Sequence, residues 1–141
     1  MYSLAEENYI KAIFHLQQTK TGAVSTNAIA ESMDTKASSA TDMVQKLADK
    51  KVLSYIKYKG SKLTEKGNKI ATRIVRKHRL WEVFLVDKLG FHWDEVHEIA
   101  EQLEHIHSNE LIKRLDAFLG SPAFDPHGDP IPDEHGNFMK T

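Results

Sequence analysis

Between residues 97 and 107 the chain reads HEIAEQLEHIH, three histidines and three glutamates in eleven positions. On a helix of about 100° per residue, His97, Glu101, Glu104 and His105 share an arc of about 100°. Carboxylates crowded on one arc repel one another unless a cation lies between them or the face is simply solvated. Upstream, His78 and Glu82 repeat the i, i+4 spacing. If the two stretches pack antiparallel across VDKLGFHW, six nitrogen and oxygen donors converge between helices, as metal sites in helical bundles do. Such donors suit Mn2+, Fe2+, Co2+ or Zn2+, and a carboxylate-rich set leans toward the harder ions. Exposed ion pairs from Arg76, Lys77 and Arg79 to these acids are the alternative, and spacing leaves both open.

The other histidines invite plainer readings. His15 follows Phe14 on an apolar face and reads as a core-edge residue. His92 and His107 lie off the shared arc. His127 and His135 fall in a proline-rich stretch, where they could bind metal but read more simply as solvent residues. Trp81 and Trp93 read as core or dimer-seam residues.

The chain that must position these donors has 141 residues, enough for one domain or two small ones. It has no cysteine, which excludes disulfides, thiolate metal sites and thiol nucleophiles. The start, MYSLAEENYIKAIFHL, lacks a basic stretch followed by an apolar run, and no segment approaches the ~18 apolar residues of a membrane span. A cytoplasmic protein with no membrane partner is the expectation. Net charge is −1, but residues 1–75 hold twelve Lys+Arg against seven Asp+Glu, and residues 76–141 hold seven against thirteen. A basic half joined to an acidic half suggests a polyanion-facing module beside one that handles cations or partners.

Apolar spacing predicts a first helix over 3–19, from Leu4, Tyr9, Ile10, Ile13, Phe14 and Leu16. Ser25 or Thr26 then caps a short helix, DTKA makes a turn, and SSATDMVQKLADKK forms a third helix with Ala40, Met43, Val44 and Leu47 inward. That order is a helix-turn-helix. VLSYIKYKGSKLTE follows as a two-stranded wing turning at Lys59-Gly60. Thr64 caps a long helix closed by Gly90, Asp94 opens the donor-rich helix through about Ile106, and Ser108 caps a last one through Leu119. SPAFDPHGDPIPDEHGNF holds all four prolines and reads as a tail or linker. No internal repeat is expected.

In a helix-turn-helix the second helix enters the major groove. Here it offers Lys36, Ser38, Ser39, Thr41, Asp42, Gln45 and Lys46, hydroxyls and amides for bases and lysines for phosphates. Lys57, Lys59 and Lys62 on the wing would track flanking phosphates. A carboxylate such as Asp42 repels phosphate, and either reads a cytosine amino group or points away.

The wording RKHRLWE and VHEIAEQLEH, with MVQKL on the reading helix and YIKYKG in the wing, resembles the diphtheria-toxin-repressor family of metal-dependent transcription regulators, including its short manganese-transport-regulator branch. The resemblance runs over roughly residues 3–135. It implies that His78, Glu82 and His97 form an ancillary metal site and that Glu101, Glu104 and His105 form the primary one. Glu101 stands where iron-type members have cysteine and manganese-type members have glutamate. Two departures concern the first helix: Asn8 stands where the family has an aspartate or methionine ligand, and Lys11 replaces a second acidic ligand. Many members continue into a small β-barrel after a proline-rich linker, so the chain is a short member or a shortened form of a longer one.

The resulting expectation is a mainly α fold: a winged helix-turn-helix over residues 1–75, a helical metal-binding and dimerisation domain over 76–120, and a Pro/Gly-rich tail over 121–141. The expected function is that of a Mn2+- or Fe2+-dependent repressor controlling metal homeostasis, with Zn2+, Co2+ or Ni2+ able to substitute in vitro. The expected partners are a second copy of the chain and double-stranded DNA carrying an inverted repeat, with no enzymatic activity. The rivals are a small hydrolase-like metalloenzyme using Glu82 or Glu101 as base, and a metal-independent winged helix that binds protein. Both rivals predict no ion-dependent DNA binding.

Overall fold

The computed structural model describes residues 2–19 and 22–138, and the chain divides into two units, Met1–Ala71 and Thr72–Thr141. The first is built from α1 (Leu4–Thr19), α2 (Thr26–Ser32), α3 (Ala37–Asp49), β1 (Leu53–Ile56), β2 (Gly60–Leu63) and the start of α4 (Glu65–Asp87). Ile10 and Ile13 of α1, Ile29 of α2 and Leu47 of α3 are fully buried together with Val24 and Val52. On α3 the buried residues are Ala40, Val44 and Leu47, one helical stripe, while Met43 at its edge is only half-buried. The Ser25 hydroxyl caps α2 by accepting the Ala28 N–H at 3.1 Å, and the Thr64 hydroxyl caps α4 by accepting that of Gly67 at 3.1 Å.

The wing pairs β1 with β2 antiparallel, Leu53 opposite Leu63 and Ile56 opposite Gly60. A third edge joins it, since Val24 N–H donates to the Ser61 carbonyl at 2.7 Å and Ser61 N–H returns to that of Val24 at 2.8 Å. This close approach explains Gly60. Its φ is +116°, and a Cβ there would lie 2.2 Å from the Val24 carbonyl oxygen, so no larger residue fits. The reversal accordingly sits earlier than a Lys59-Gly60 turn, centred on Lys57 and Tyr58. Lys59 N–H closes it onto the Ile56 carbonyl at 2.9 Å, and Gly60 already belongs to β2.

The second unit holds the rest of α4 with α5 (His97–Leu103) and α6 (Asn109–Phe118). Leu80, Val83, Ile112, Leu115 and Ile131 form a buried cluster, and Trp81, Phe84 and Leu119 pack against it. Ser108 caps α6 through the Leu111 N–H at 3.1 Å. The donor-rich helix is shorter than an Asp94 start requires. Asp94 and Glu95 are engaged in a turn before it: the Asp94 carboxylate lies 2.5 Å from His92 Nδ1, and Glu95 accepts the His92 N–H at 3.0 Å. The helix therefore begins at His97 and ends at Leu103, leaving His105 beyond it.

Residues 121–138 hold no helix or strand but are not a loose tail. Ile131 joins the core, and the Arg76 and Arg79 guanidiniums donate to the Pro132 and Pro130 carbonyls at 3.2 and 2.5 Å. The segment also contains a repeat where none was expected: Asp-Pro-His-Gly-Asp at 125–129 and Asp-Glu-His-Gly-Asn at 133–137. Asp125 Oδ1 accepts the N–H groups of His127 and Asp129 at 2.9 and 2.8 Å, and Asp133 Oδ1 accepts those of His135 and Asn137, both at 2.9 Å. The repeat is only five residues long and interrupted, so its signal is geometric more than textual. Residues 139–141 of the expected tail lie outside the described residues.

Candidate metal centre and nucleic-acid interface

Among the described residues of the second unit, four charged or ionisable side chains are withdrawn from solvent: His78, Glu82, Glu104 and Asp125. Burying such groups is costly unless they are paired, hydrogen-bonded or bound to a cation. His78 and Glu82 sit one turn apart on α4, with Nε2 of the ring 3.4 Å from Glu82 Oε2. The other ring nitrogen, Nδ1, is 2.6 Å from Glu104 Oε1. His127 reaches the same Glu82 oxygen from the 125–129 turn, its Nδ1 at 3.4 Å, and stands 3.8 Å from Asp125 Oδ2.

Hydrogen-bond chemistry fixes what these nitrogens offer. His127 Nε2 is 2.8 Å from the Trp93 carbonyl, which only accepts, so Nε2 carries a proton. In the neutral ring Nδ1 then presents a lone pair to a carboxylate that also presents lone pairs. By the same logic, a proton on His78 Nδ1 toward Glu104 turns a lone pair on Nε2 toward Glu82. Glu82 Oε2 itself is buried without a hydrogen-bond partner. Acceptors converging at 3.4 Å are stable only with protons or a cation among them, and an imidazole held by its second nitrogen is the usual form of a metal-ligating histidine. Among the described residues, two groups of ligand atoms, each within 4.8 Å of one another, meet this description: His78 with Glu82 and His97, and Glu82 with Asp125 and His127. The donor set is all nitrogen and carboxylate oxygen, and it fits a divalent cation.

The two acids respond to burial in opposite ways. Burial favours the neutral form of each. For Glu82 the facing His78 ring, together with Asp125 and His127, more than offsets it and holds the carboxyl below its ordinary range. For Asp125 burial comes first, and the facing charge of Glu82 adds to it, so the carboxyl is pushed up despite the N–H it accepts from Asp129.

The other sequence-derived candidates fall differently. His97 abuts His78, ring centres 4.9 Å apart, but its side chain is mostly exposed and lies 2.7 Å from the exposed Glu101. Glu104 is fully buried, and His105 Nε2 stands 3.7 Å from Glu104 Oε2. The four residues thus do not present one face to one place. Val96, Ala100 and Glu104 are the buried residues of this stretch, so the shared arc straddles the border of the core, with Glu104 inside and His97 and Glu101 outside. Among the described residues Glu101, Glu104 and His105 do not close into one group of ligand atoms. Asn8 is half-buried on α1 of the first unit. Asp125 was not among the sequence-derived candidates, and for His127 a solvent role was preferred to metal binding. The available signal was the Asp-x-His spacing, which a turn closed on the aspartate folds back on itself.

In the first unit Lys36, Ser38, Ser39, Thr41, Asp42, Gln45 and Lys46 are all exposed along the first turns of α3, and Lys57, Lys59 and Lys62 are exposed on the wing. The Thr41 hydroxyl donates to the Ala37 carbonyl at 2.9 Å, so only its lone pairs face outward. Tyr58 at the wing tip is 91% exposed with φ +65°, beneath the Lys57 ammonium.

Residues 1–61 match the model of the iron-dependent repressor N-terminal DNA-binding domain, and residues 64–133 match that of the iron-dependent repressor metal-binding and dimerisation domain. The chain belongs to the iron-dependent repressor family. The HTH-type transcriptional regulator MntR of Oceanobacillus iheyensis is 41% identical over 109 residues, which cover 77% of this chain and 73% of that protein. The iron-dependent repressor IdeR of Mycobacterium tuberculosis is 35% identical over 127 residues, 89% of this chain and 54% of the relative, so the chain spans about half the length of that protein. Among solved structures, a manganese-dependent transcriptional repressor in complex with manganese superposes with a TM-score of 0.86 at 42% identity, covering 96% of this chain and 62% of that one. The family resemblance and the mainly helical, winged fold read from the sequence are both borne out. The family is one of DNA-binding regulators, which sets the metalloenzyme rival aside. No helix among the described residues is long and apolar enough to cross a membrane.

Proposed function

We propose that the chain acts in the cytoplasm as a Mn2+- or Fe2+-dependent DNA-binding repressor of metal homeostasis, binding as a homodimer to an inverted-repeat operator. The observation that carries the metal dependence is Glu82: a buried carboxylate oxygen faced by ring nitrogens of His78 and His127, both at 3.4 Å. When bound, a divalent cation supplies the positive charge that these converging acceptors lack. His78, Glu82 and His97 would hold one ion, and Glu82, Asp125 and His127 offer a second, overlapping set. Glu101, Glu104 and His105 enter by resemblance as further donors. Asn8 offers only a neutral amide oxygen, and Asn8→Asp is expected to tighten binding of hard ions.

Lys36, Lys46, Lys57, Lys59 and Lys62 would neutralise phosphates, while Ser38, Ser39, Thr41, Asp42 and Gln45 lie where base edges would be read. A two-fold dimer presents two equivalent reading helices, which suits an inverted repeat. Metal must bind the DNA-competent state more tightly than the other for the switch to work. Gel-shift titration tests this: chelated protein should bind specific duplex weakly, and Mn2+ or Fe2+ should restore binding. Equal affinity with chelator and with metal would sink the switch. Loss of a wing lysine should weaken binding to every duplex and lower the salt slope by about one unit.

A further inference from the structure

We infer that Glu6 is a positioning residue for the reading helix, because one buried carboxylate ties the start of α1 to the end of α3. The inference rests on the DNA-binding reading of the first unit. Glu6 is the third residue of α1, counting Leu4 as the first, and with Ser3 it forms a reciprocal cap: Glu6 Oε1 accepts the Ser3 N–H at 2.9 Å, and the Ser3 hydroxyl accepts the Glu6 N–H at 3.1 Å. A cap of this kind needs one oxygen and no burial. Here Glu6 is only 2% exposed, and its second oxygen takes the Lys50 ammonium at 2.5 Å.

Lys50 is the C-cap of α3, where a cation meets the negative end of the helix. Its ammonium lies 5.5 Å from the centre of the Tyr2 ring, and its carbonyl accepts the Lys66 ammonium at 3.2 Å.

The physical need is axial. The stripe of Ala40, Val44 and Leu47 holds α3 through apolar contacts, which are non-directional and define its position along its own axis weakly. A charge-assisted hydrogen bond at one end defines that position, and side chains presented to base edges tolerate only about 0.5 Å of error. Lys50 is not simply another phosphate contact, because its charge is already directed at Glu6.

Two variants of the full chain separate these roles. Glu6→Gln keeps an oxygen for the Ser3 cap and removes the charge that holds Lys50; Lys50→Met removes the other partner. The probes are a duplex selected by wild-type protein from a random library in Mn2+, and a scrambled duplex of the same length. Each variant should bind the selected duplex about tenfold more weakly, bind the scrambled duplex as before, and combine without further loss. Plain electrostatics predicts the opposite sign for Glu6→Gln, since it deletes a negative charge and releases a lysine. Equal or tighter binding of the selected duplex by Glu6→Gln overturns the positioning role alone. Wild-type protein that selects no duplex with any divalent ion sinks the DNA reading and the role with it. Amide exchange adds a readout independent of DNA: the Lys50 and Lys51 amides at the end of α3 should lose protection in Lys50→Met while Val44 keeps it, and unchanged protection overturns the tie.

Discussion

The turns at 125–129 and 133–137 share a local sequence pattern and a local hydrogen-bond plan, yet they end in different chemistry. In both, an aspartate oxygen gathers the N–H groups two and four residues on, and a glycine takes a left-handed conformation, φ +87° at Gly128 and +81° at Gly136. The first turn buries its aspartate and directs its histidine at Glu82. The second leaves both side chains in solvent, with His135 beside the exposed Glu134. Asp133 is held below its ordinary pKa, first by the Asn137 N–H, whereas Asp125 is pushed up by burial and by Glu82. The same residue in the same turn thus shifts in opposite directions. What differs is the neighbourhood, and neighbourhood decides whether a histidine meets other donor atoms or only solvent.

The strongest way to break this contrast is to remove the residue that makes the first turn special. Glu82 belongs to both candidate ligand groups, so Glu82→Ala should weaken metal binding by more than about 100-fold in calorimetric titration. Retained affinity would leave the buried cluster a structural ion-pair network. Next in size is the paired test of the histidines. His127→Ala should cost about 10- to 100-fold in metal affinity, while His135→Ala should cost nothing measurable; equal losses would mean that the turns are equivalent and the buried geometry irrelevant.

A smaller effect concerns the metal-free protein. Asp125→Asn keeps the oxygen that closes the turn but removes a carboxylate facing Glu82, so it should stabilise the chelated protein by on the order of 1 kcal/mol. Asp133→Asn should not stabilise it. Thermal melts in chelator decide between them, and destabilisation by Asp125→Asn would show that the acid pair does not repel.

The smallest effect belongs to the first unit and sharpens the comparison with a carboxylate whose partner is already in place. The Glu6 pKa is lowered from 4.5 to about 2, so its contribution to stability is present above pH 4.5 and is lost as pH falls toward 2. Lys50 is partly exposed, which limits that contribution to about 1 kcal/mol. Melting temperatures recorded from pH 5 to 2 should fall less steeply for Lys50→Met than for wild type. Parallel curves would place the acid sensitivity elsewhere.

Much of the first unit was legible because its signals are local. Ser25 and Thr64 cap the helices they precede, and Ala40, Val44 and Leu47 lie one helical turn apart, so periodicity alone turns them inward. The position of the wing turn was not legible, because Gly60 answers to Val24, thirty-six residues away in sequence, rather than to its neighbours. The arc of His97, Glu101, Glu104 and His105 shows the limit of periodicity more sharply. The helical projection correctly groups side chains by angle, but it does not say where the core begins, and here the border falls inside the group.

The sequence by itself determined most of the helices with the caps at Ser25, Thr64 and Ser108, the basic and acidic halves, the supply of nitrogen and oxygen donors without any thiolate, and the family wording. These depend on residue type and short spacing, over which backbone geometry is nearly fixed. Only the tertiary structure decided which donors meet. It joined Glu82 to His127 and left His135 in water, although both histidines occupy the same place in the same turn. The reason is that burial and charge act through space: a carboxylate's partner is set by what the fold packs within a few ångströms, and that distance has no counterpart in separation along the chain.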